Sequence, residues 1–258
     1  MSKAPHFQNV AVPITVRFSD FAGILKISDT DPLASPRGLA LKFHLPDGTE
    51  TDLVTHSFNG FPAATIDEFR QLLIALGSSG PGVATPTPAD IYLVAHPIAK
   101  SFLESQQPPP VSYATLSYFG VNSFKFTNAQ GETSIGRYQI VPQTGNQFLS
   151  EEEIARASPN YLADEIRQRV ADSPIRFNFR VQLPEPEDKI DNPSIAWPDT
   201  RKTIEIGVIE IMEAVHDSAA VERDLLFLPS RLPAGIEPAD PMVYRSPAYI
   251  ISYQRRHQ

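Results

Sequence analysis

The sequence has no cysteine, which excludes disulfides, thiolate metal sites and cysteine nucleophiles. It also lacks any apolar run near the roughly 18 residues that a membrane-spanning helix requires, and its start lacks the apolar stretch of a signal peptide. Acidic residues outnumber basic ones, since the chain has 30 Asp and Glu and 22 Lys and Arg, which gives a net charge of −8. Nucleic acids and anionic membranes both attract basic surfaces. We therefore expect a cytoplasmic protein with no nucleic-acid and no membrane partner.

The motifs of several common enzyme classes are missing as well. No Gly-rich phosphate loop and no G-x-S-x-G elbow occurs. Carboxylates are plentiful but spread along the chain. The histidines lack the close spacing of a zinc site, and they stand at His6, His44, His56, His96, His216 and His257. The individual residues therefore predict an α+β domain and leave its chemistry open.

Apolar residues that alternate with a period of two predict antiparallel strands. Residues 10–18 and 39–45 alternate in this way, and the turn Pro46-Asp47-Gly48 leads into residues 52–58 as a hairpin partner. Further segments with strand character are 111–127, 133–141, 175–183 and 203–215.

Capping residues mark the predicted helices. Thr65 with Glu68 forms a capping-box pattern and Gly77 can end that helix, while Ser150 with Glu153 repeats the pattern. Asn160 can cap a helix that runs to about residue 171, and residues 91–104 and 241–256 are further helical segments. Strands, then helices, then strands favour an α+β fold with an antiparallel sheet or barrel, which we assign to one domain over residues 1–258.

Short sequence blocks, in a fixed order from about residue 10 to residue 256, resemble the catalase family, and more closely its short branch of catalase-related peroxidases. The resemblance implies an antiparallel β-barrel with flanking helices that binds haem. The blocks are Val16-Arg17-Phe18-Ser19, residues 36–43, Asp52-Leu53-Val54, residues 119–126, residues 128–132, Trp197-Pro198 with Gly207, residues 233–237, and the tail Arg245-Ser246-Pro247-Ala248-Tyr249.

The tail block implies a haem ligand. By the resemblance, Tyr249 is the iron ligand, and Arg245 lies four residues earlier, one helical turn away, where it can reach the phenol oxygen. A nearby guanidinium favours the phenolate that iron requires. Pro247 is compatible with this arrangement only in the first turn of the helix.

The resemblance also implies the residues that surround the porphyrin. Arg17 and Arg256 match the arginines that bind the haem propionates, and Arg255 beside Arg256 allows a register shift of one residue. Phe69 matches an aromatic residue that packs against the porphyrin.

The distal side of the haem departs from the family pattern. The family's catalytic histidine belongs upstream of the Val16 block, and no residue of the preceding segment matches its motif. Ser19 matches the serine that orients this histidine, and His56 stands where the family has an asparagine. His56 is therefore either a replacement base or a hydrogen-bonding substitute for the asparagine. The recorded start at Met1 is either a truncation, which we favour, or that of a naturally short chain.

These residues predict a haem-dependent catalase-related peroxidase. Its substrate would be hydrogen peroxide or an organic peroxide, with a small-molecule electron donor, and the family resemblance suggests self-association. The alternative is a haem-binding pseudoenzyme that turns peroxide over poorly because the distal histidine segment is missing. A third possibility keeps the fold and uses a fatty-acid hydroperoxide.

Overall fold

A computed structural model describes residues 1–20, 27–105 and 107–257. Its centre is one curled antiparallel sheet in which seven strands follow in the order β1 to β7 and β8 pairs with β4. The strands are β1 (Ile14–Asp20), β2 (Arg37–His44), β3 (Glu50–His56), β4 (Tyr118–Thr127), β5 (Thr133–Pro142), β6 (Ile175–Gln182), β7 (Thr203–Ile211) and β8 (Ile236–Pro238). The predicted α+β class with an antiparallel sheet is confirmed.

Helices occupy the connections between the strands and the end of the chain. They are α1 (Ile66–Gly77), α2 (Pro88–Ala95), α3 (Pro97–Glu104), α4 (Glu151–Arg156), α5 (Tyr161–Asp172), α6 (Ser218–Asp224) and α7 (Ser246–Arg256), with 3-10 turns at Pro5–Phe7, Pro32–Ala34, Tyr113–Thr115 and Pro241–Arg245. None of the helices in the described ranges has the length and apolar character needed to span a bilayer.

Several predicted boundaries are wrong, and prolines explain two of them. The first strand begins at Ile14 rather than residue 10, directly after Pro13, which has no N–H for the sheet. Residues 91–104 form parts of two helices, because Pro97 disfavours helical geometry at the residue before it. The strand predicted from residue 111 begins at Tyr118, after a 3-10 turn.

Helix caps match the predictions in part. Ser150 and Glu153 form the complete capping box. At α1 only half of the box forms: Thr65 accepts from the Glu68 N–H, whereas the Glu68 carboxylate accepts from the N–H of Ala64. The Asn160 side chain makes no capping hydrogen bond to α5.

One face of the sheet builds the core. Alternate residues of β2 to β6 point to this face because side chains alternate along a strand. Burying each of these large side chains contributes about 1.5–3 kcal/mol. The buried members include Leu39, Leu41, Leu53, Tyr118, Ile140, Phe177 and Val181.

The opposite face of β1 to β3 is covered by the segment 225–232, which leads towards α7. Buried Lys42 donates to the Asp52 carboxylate at 2.8 Å and to the Leu226 carbonyl at 3.0 Å. Asp52 in turn accepts from the Leu228 N–H at 2.8 Å. This buried ion pair therefore attaches the segment to the sheet and fixes the approach to the C-terminal helix.

Candidate active site

Tyr249 lies in α7, where Pro247 occupies the first turn, the position in which a proline leaves the helix intact. Arg245 directly precedes the helix, and its Nε donates to the Tyr249 hydroxyl oxygen at 3.3 Å. The guanidinium carbon also lies 5.9 Å from the centroid of the tyrosine ring. The four-residue spacing therefore brings the cation and the phenol together.

A chain of hydrogen bonds continues from Arg245 into the protein. Its Nη1 donates to Asn122 Oδ1 at 3.0 Å and to the Met242 carbonyl at 2.8 Å. Asn122 Nδ2 then donates to Asp240 Oδ2 at 2.9 Å, and Asp240 Oδ1 accepts from the Met242 N–H at 2.7 Å. We call Tyr249, Arg245, Asn122 and Asp240 the tyrosine relay.

Sequence reasoning missed Asn122 and Asp240. Asn122 comes from β4 and lies 118 positions from Asp240, so no local pattern relates them. Asp240 did carry a local signal, since it precedes Pro241 and caps the 3-10 turn that leads into α7. Asp240 is only 1% exposed. Burial raises the pKa of its carboxyl group, and the hydrogen bonds from Asn122 and Met242 oppose that rise.

On the other side of the site, three predicted strands align polar positions in one row. Ser19 pairs with Gly38 and Gly38 pairs with His56, so the three residues face the same side of the sheet. A Cβ on Gly38 would lie 2.5 Å from Ser19 Oγ. The Ser19 hydroxyl therefore occupies the space above Gly38, on the face that also carries His56.

His56 is buried among aromatic rings. Its ring centroid lies 6.1 Å from that of Phe61 and 6.2 Å from that of Phe102. Burial, assisted by the positive charge of Arg245, lowers the pKa of His56 to about 3. The imidazole is then neutral at neutral pH, and a general base works best with a pKa near the operating pH. This environment favours the hydrogen-bonding role, while the assignment of His56 as a base stays a prediction.

Phe61 connects the two sides. The Arg245 guanidinium carbon lies 5.8 Å from the centroid of its ring, and Phe69 from α1 packs against it at 4.9 Å between centroids. Both phenylalanines belong to an apolar cluster with Val121 and Met242. Phe69 is thus placed in the apolar wall that joins the tyrosine relay to His56.

Arg17 and Arg256 are the two predicted propionate-binding residues. Arg17 is two residues before Ser19 and faces the same side of β1, with its guanidinium carbon 4.9 Å from the Phe227 ring centroid. Its Nε is buried and has no hydrogen-bond partner among residues 1–20, 27–105 and 107–257. Burial lowers the pKa of Arg17, and the charge of Arg256 acts in the same direction. Arg256 itself donates to the Leu225 carbonyl at 2.7 Å.

These residues fit a haem group. A phenol beside a guanidinium suits ferric iron, two neighbouring arginines with one unsatisfied N–H suit a pair of carboxylates, and the phenylalanine wall suits an apolar ring. In the part of the chain that the structure describes, no cluster of three or more His, Cys, Asp or Glu side chains could hold a metal ion.

Comparison with known proteins gives one family. The family description "Catalase" matches residues 1–257. The chain is 34% identical over 262 residues to a catalase-related peroxidase of Synechococcus elongatus, with 99% of this chain and 76% of that protein covered. It is 35% identical over 248 residues to a catalase-related peroxidase of Mycolicibacterium paratuberculosis, with 95% and 77% covered.

Solved structures agree in fold. A fungal catalase crystal structure superimposes with a TM-score of 0.85 at 20% identity and covers 99% of this chain. The chain spans 55% of that catalase, about half of its length. At this identity the likeness concerns the fold alone.

Proposed function

The chain belongs to the catalase family, and we propose that it is a haem-dependent, catalase-related peroxidase. Its substrate is hydrogen peroxide or an organic peroxide, and its reductant is a small-molecule electron donor. The observation that carries the proposal is the 3.3 Å hydrogen bond from Arg245 to Tyr249, supported from behind by Asn122 and Asp240. The similarity to two catalase-related peroxidases supports the same conclusion.

Tyr249, Arg17, Arg256 and Phe69 would hold the haem. Tyr249 would ligate the iron through its oxygen, the two arginines would pair with the propionates, and the ring of Phe69 would pack against the porphyrin. When bound, haem supplies the redox chemistry that cleaves the peroxide O–O bond.

The tyrosine relay orients the cation that faces Tyr249. Arg245 places its guanidinium beside the Tyr249 hydroxyl and donates Nε–H to the oxygen. Asn122 restricts Arg245 to this orientation, because its Oδ1 accepts from the same guanidinium.

His56 and Ser19 would act on the peroxide. The neutral imidazole of His56 offers one N–H donor and one nitrogen acceptor, so it can hold a peroxide oxygen without first losing a proton. The Ser19 hydroxyl, above Gly38 on the same face, provides a second hydrogen-bonding group. Phe61 and Phe102 exclude water from this region, which strengthens each of these hydrogen bonds.

A second candidate function is haem binding with little peroxide turnover. The observation in its favour is the pKa of about 3 at His56, because such an imidazole accepts a proton poorly. The two candidates differ in turnover and share haem binding.

Peroxide consumption by the haem-loaded protein separates the two candidates. The wild type, His56→Ala and His56→Asn are compared at equal haem content with a phenolic donor present. The peroxidase proposal predicts turnover that falls at least tenfold in His56→Ala and is partly retained in His56→Asn, since the amide can still form hydrogen bonds. Wild-type turnover no faster than that of His56→Ala and free haem would instead favour the pseudoenzyme.

A further inference from the structure

Arg137 is a buried cation whose hydrogen-bond partner Ser123 directly follows Asn122 of the tyrosine relay. It belongs to β5 and is 3% exposed. Its Nε donates to Ser123 Oγ at 3.1 Å, and its other nitrogens donate to three backbone carbonyls of the loop 189–195 at 2.8–3.1 Å. Its guanidinium carbon lies 4.3 Å from the Trp197 ring centroid. All of these partners are neutral, so the positive charge is not balanced by any of them.

Asp240 is a buried acidic residue whose hydrogen-bond partners are likewise neutral. Both of its oxygens accept hydrogen bonds, one from the Asn122 amide and one from the Met242 N–H, and both donors are neutral. Within the described ranges, neither Asp240 nor Arg137 forms an ion pair at 4.0 Å or less. A buried charge without compensation is unfavourable, so the two opposite charges stabilise each other.

The backbone keeps the two charges close. Ser123 and Asn122 are consecutive residues of β4, and the Ser123 carbonyl accepts from the Ala239 N–H at 2.9 Å, next to Asp240. Burial lowers the pKa of Arg137 to about 10, and the Asp240 carboxylate is the leading charge that opposes this fall. Asp188 is a second carboxylate that opposes the fall. Burial raises the pKa of Asp240, and the charge of Arg137, followed by that of Arg245, opposes that rise. Arg137 and Asp240 therefore act on each other.

The protonation state of Asp240 determines which way the Asn122 amide faces. A carboxylate only accepts, so it binds Nδ2 and leaves Oδ1 for Arg245, as observed. A protonated Asp240 would donate to Oδ1 instead and turn Nδ2 towards Arg245. Two donors would then face each other, and Arg245 would lose the contact that directs its Nε at Tyr249.

We propose that Arg137 is a positioning residue of the active site, which keeps Asp240 a carboxylate and thereby fixes Asn122 and Arg245 on Tyr249. It acts through the relay and touches none of the reacting groups. Its relevance to haem rests on the proposed function, whereas its effect on Asp240 belongs to the protein without haem.

The test is a carboxyl carbon NMR titration of the haem-free protein, with the Asp240 signal assigned by its loss in Asp240→Asn. Arg137→Gln removes the charge and keeps a hydrogen-bond donor, and it should raise the pKa of Asp240 by about one pH unit or more. Arg137→Lys keeps the charge and should restore most of the wild-type value. An unchanged Asp240 titration in Arg137→Gln would overturn the proposal.

Arg201→Met is the matched control. Arg201 anchors the segment directly before this loop, through ion pairs with Glu185, Glu187 and Asp188, and none of these partners belongs to the relay. Arg201→Met should lower the melting temperature and leave the pKa of Asp240 unchanged. If Arg137 were only a loop anchor, Arg137→Gln would behave in the same way.

Two further readouts separate the possible failures. If Arg137→Gln does not fold, the wild type still decides: its Arg245 Nε–H resonance should shift with the same midpoint as the Asp240 carboxyl signal, and a flat resonance would contradict the relay. With haem added, haem affinity should fall in Arg137→Gln and recover in Arg137→Lys, because the Arg245 contact with Tyr249 is weakened and then restored. A wild type that binds no haem would contradict the proposed function. The titration of Asp240 in the haem-free protein would still test whether Arg137 keeps Asp240 a carboxylate.

Discussion

The Tyr249 side and the His56 side of the site handle buried polar groups in opposite ways. Around Tyr249, charged groups are retained because a relay of directed hydrogen bonds connects Arg245, Asn122 and Asp240. Around His56, phenylalanine rings surround the imidazole and burial keeps it neutral. Burial together with a nearby cation keeps the His56 imidazole neutral, whereas directed hydrogen bonds hold the charged groups of the tyrosine relay in place.

The two sides are also coupled. Phe61 contacts both the His56 ring and the Arg245 guanidinium. The positive charge of Arg245, which donates to the Tyr249 hydroxyl, is the second cause that lowers the pKa of His56. One cation therefore binds the phenol on one side of the site and disfavours a cation on the other.

The largest expected effect concerns acid stability on the His56 side. The folded-state pKa of about 3 lies below the ordinary 6.5, so the unfolded chain takes up the proton first as the pH falls. The stabilisation is complete above pH 6.5 and is lost as the pH falls towards 3, by up to about 1.4 kcal/mol per pH unit. Urea unfolding of the wild type and of His56→Phe, repeated from pH 7 to 4, measures how the free energy of unfolding depends on pH.

His56→Phe should flatten the pH dependence of the free energy of unfolding. His6, whose pKa burial lowers to about 4, contributes a slope of the same sign and remains in that variant. The variant His6→Phe is therefore the control, since it should leave the His56 contribution intact. Equal slopes in the wild type and His56→Phe would show that His56 is not held neutral.

The second effect concerns the Tyr249 side. Arg245→Met removes a charged hydrogen bond to the phenol, a contact worth about 1.5–3 kcal/mol, so haem affinity should fall roughly tenfold to a hundredfold. Loss of the cation should also raise the pKa of His56, which the NMR titration of its ring measures. A variant with unchanged haem affinity and an unchanged His56 titration would contradict the coupling of the two sides.

The smallest effect concerns the row of Ser19, Gly38 and His56. A methyl group at Gly38 would meet Ser19 Oγ at 2.5 Å, so Gly38→Ala should displace the hydroxyl and lower stability by about 1–3 kcal/mol. Thermal unfolding checks this value, and the double variant Gly38→Ala with Ser19→Ala should recover most of the loss. Failure to recover would mean that Ser19 does not fill this space.

The features that could be predicted from the sequence join residues that are close together along the chain. The Arg245–Tyr249 contact follows from helical spacing, and Pro247 in the first turn follows from proline geometry. The break before Pro97 also has a local cause, since a proline disfavours helical geometry at the preceding residue. The Asn122–Asp240 pair could not be predicted, because it joins positions 118 apart whose meeting depends on the curl of the whole sheet. The pKa of His56 was equally out of reach, since it depends on burial.

The most direct test of the central claim is the absorption spectrum of the purified protein after haem addition. The wild type, Tyr249→Phe and Tyr253→Phe are compared, since Tyr253 lies one turn later on the same helix and serves as the matched control. The account predicts a ferric tyrosinate spectrum in the wild type and Tyr253→Phe, and its loss in Tyr249→Phe. The same tyrosinate spectrum in Tyr249→Phe, or no specific haem binding by the wild type, would contradict it.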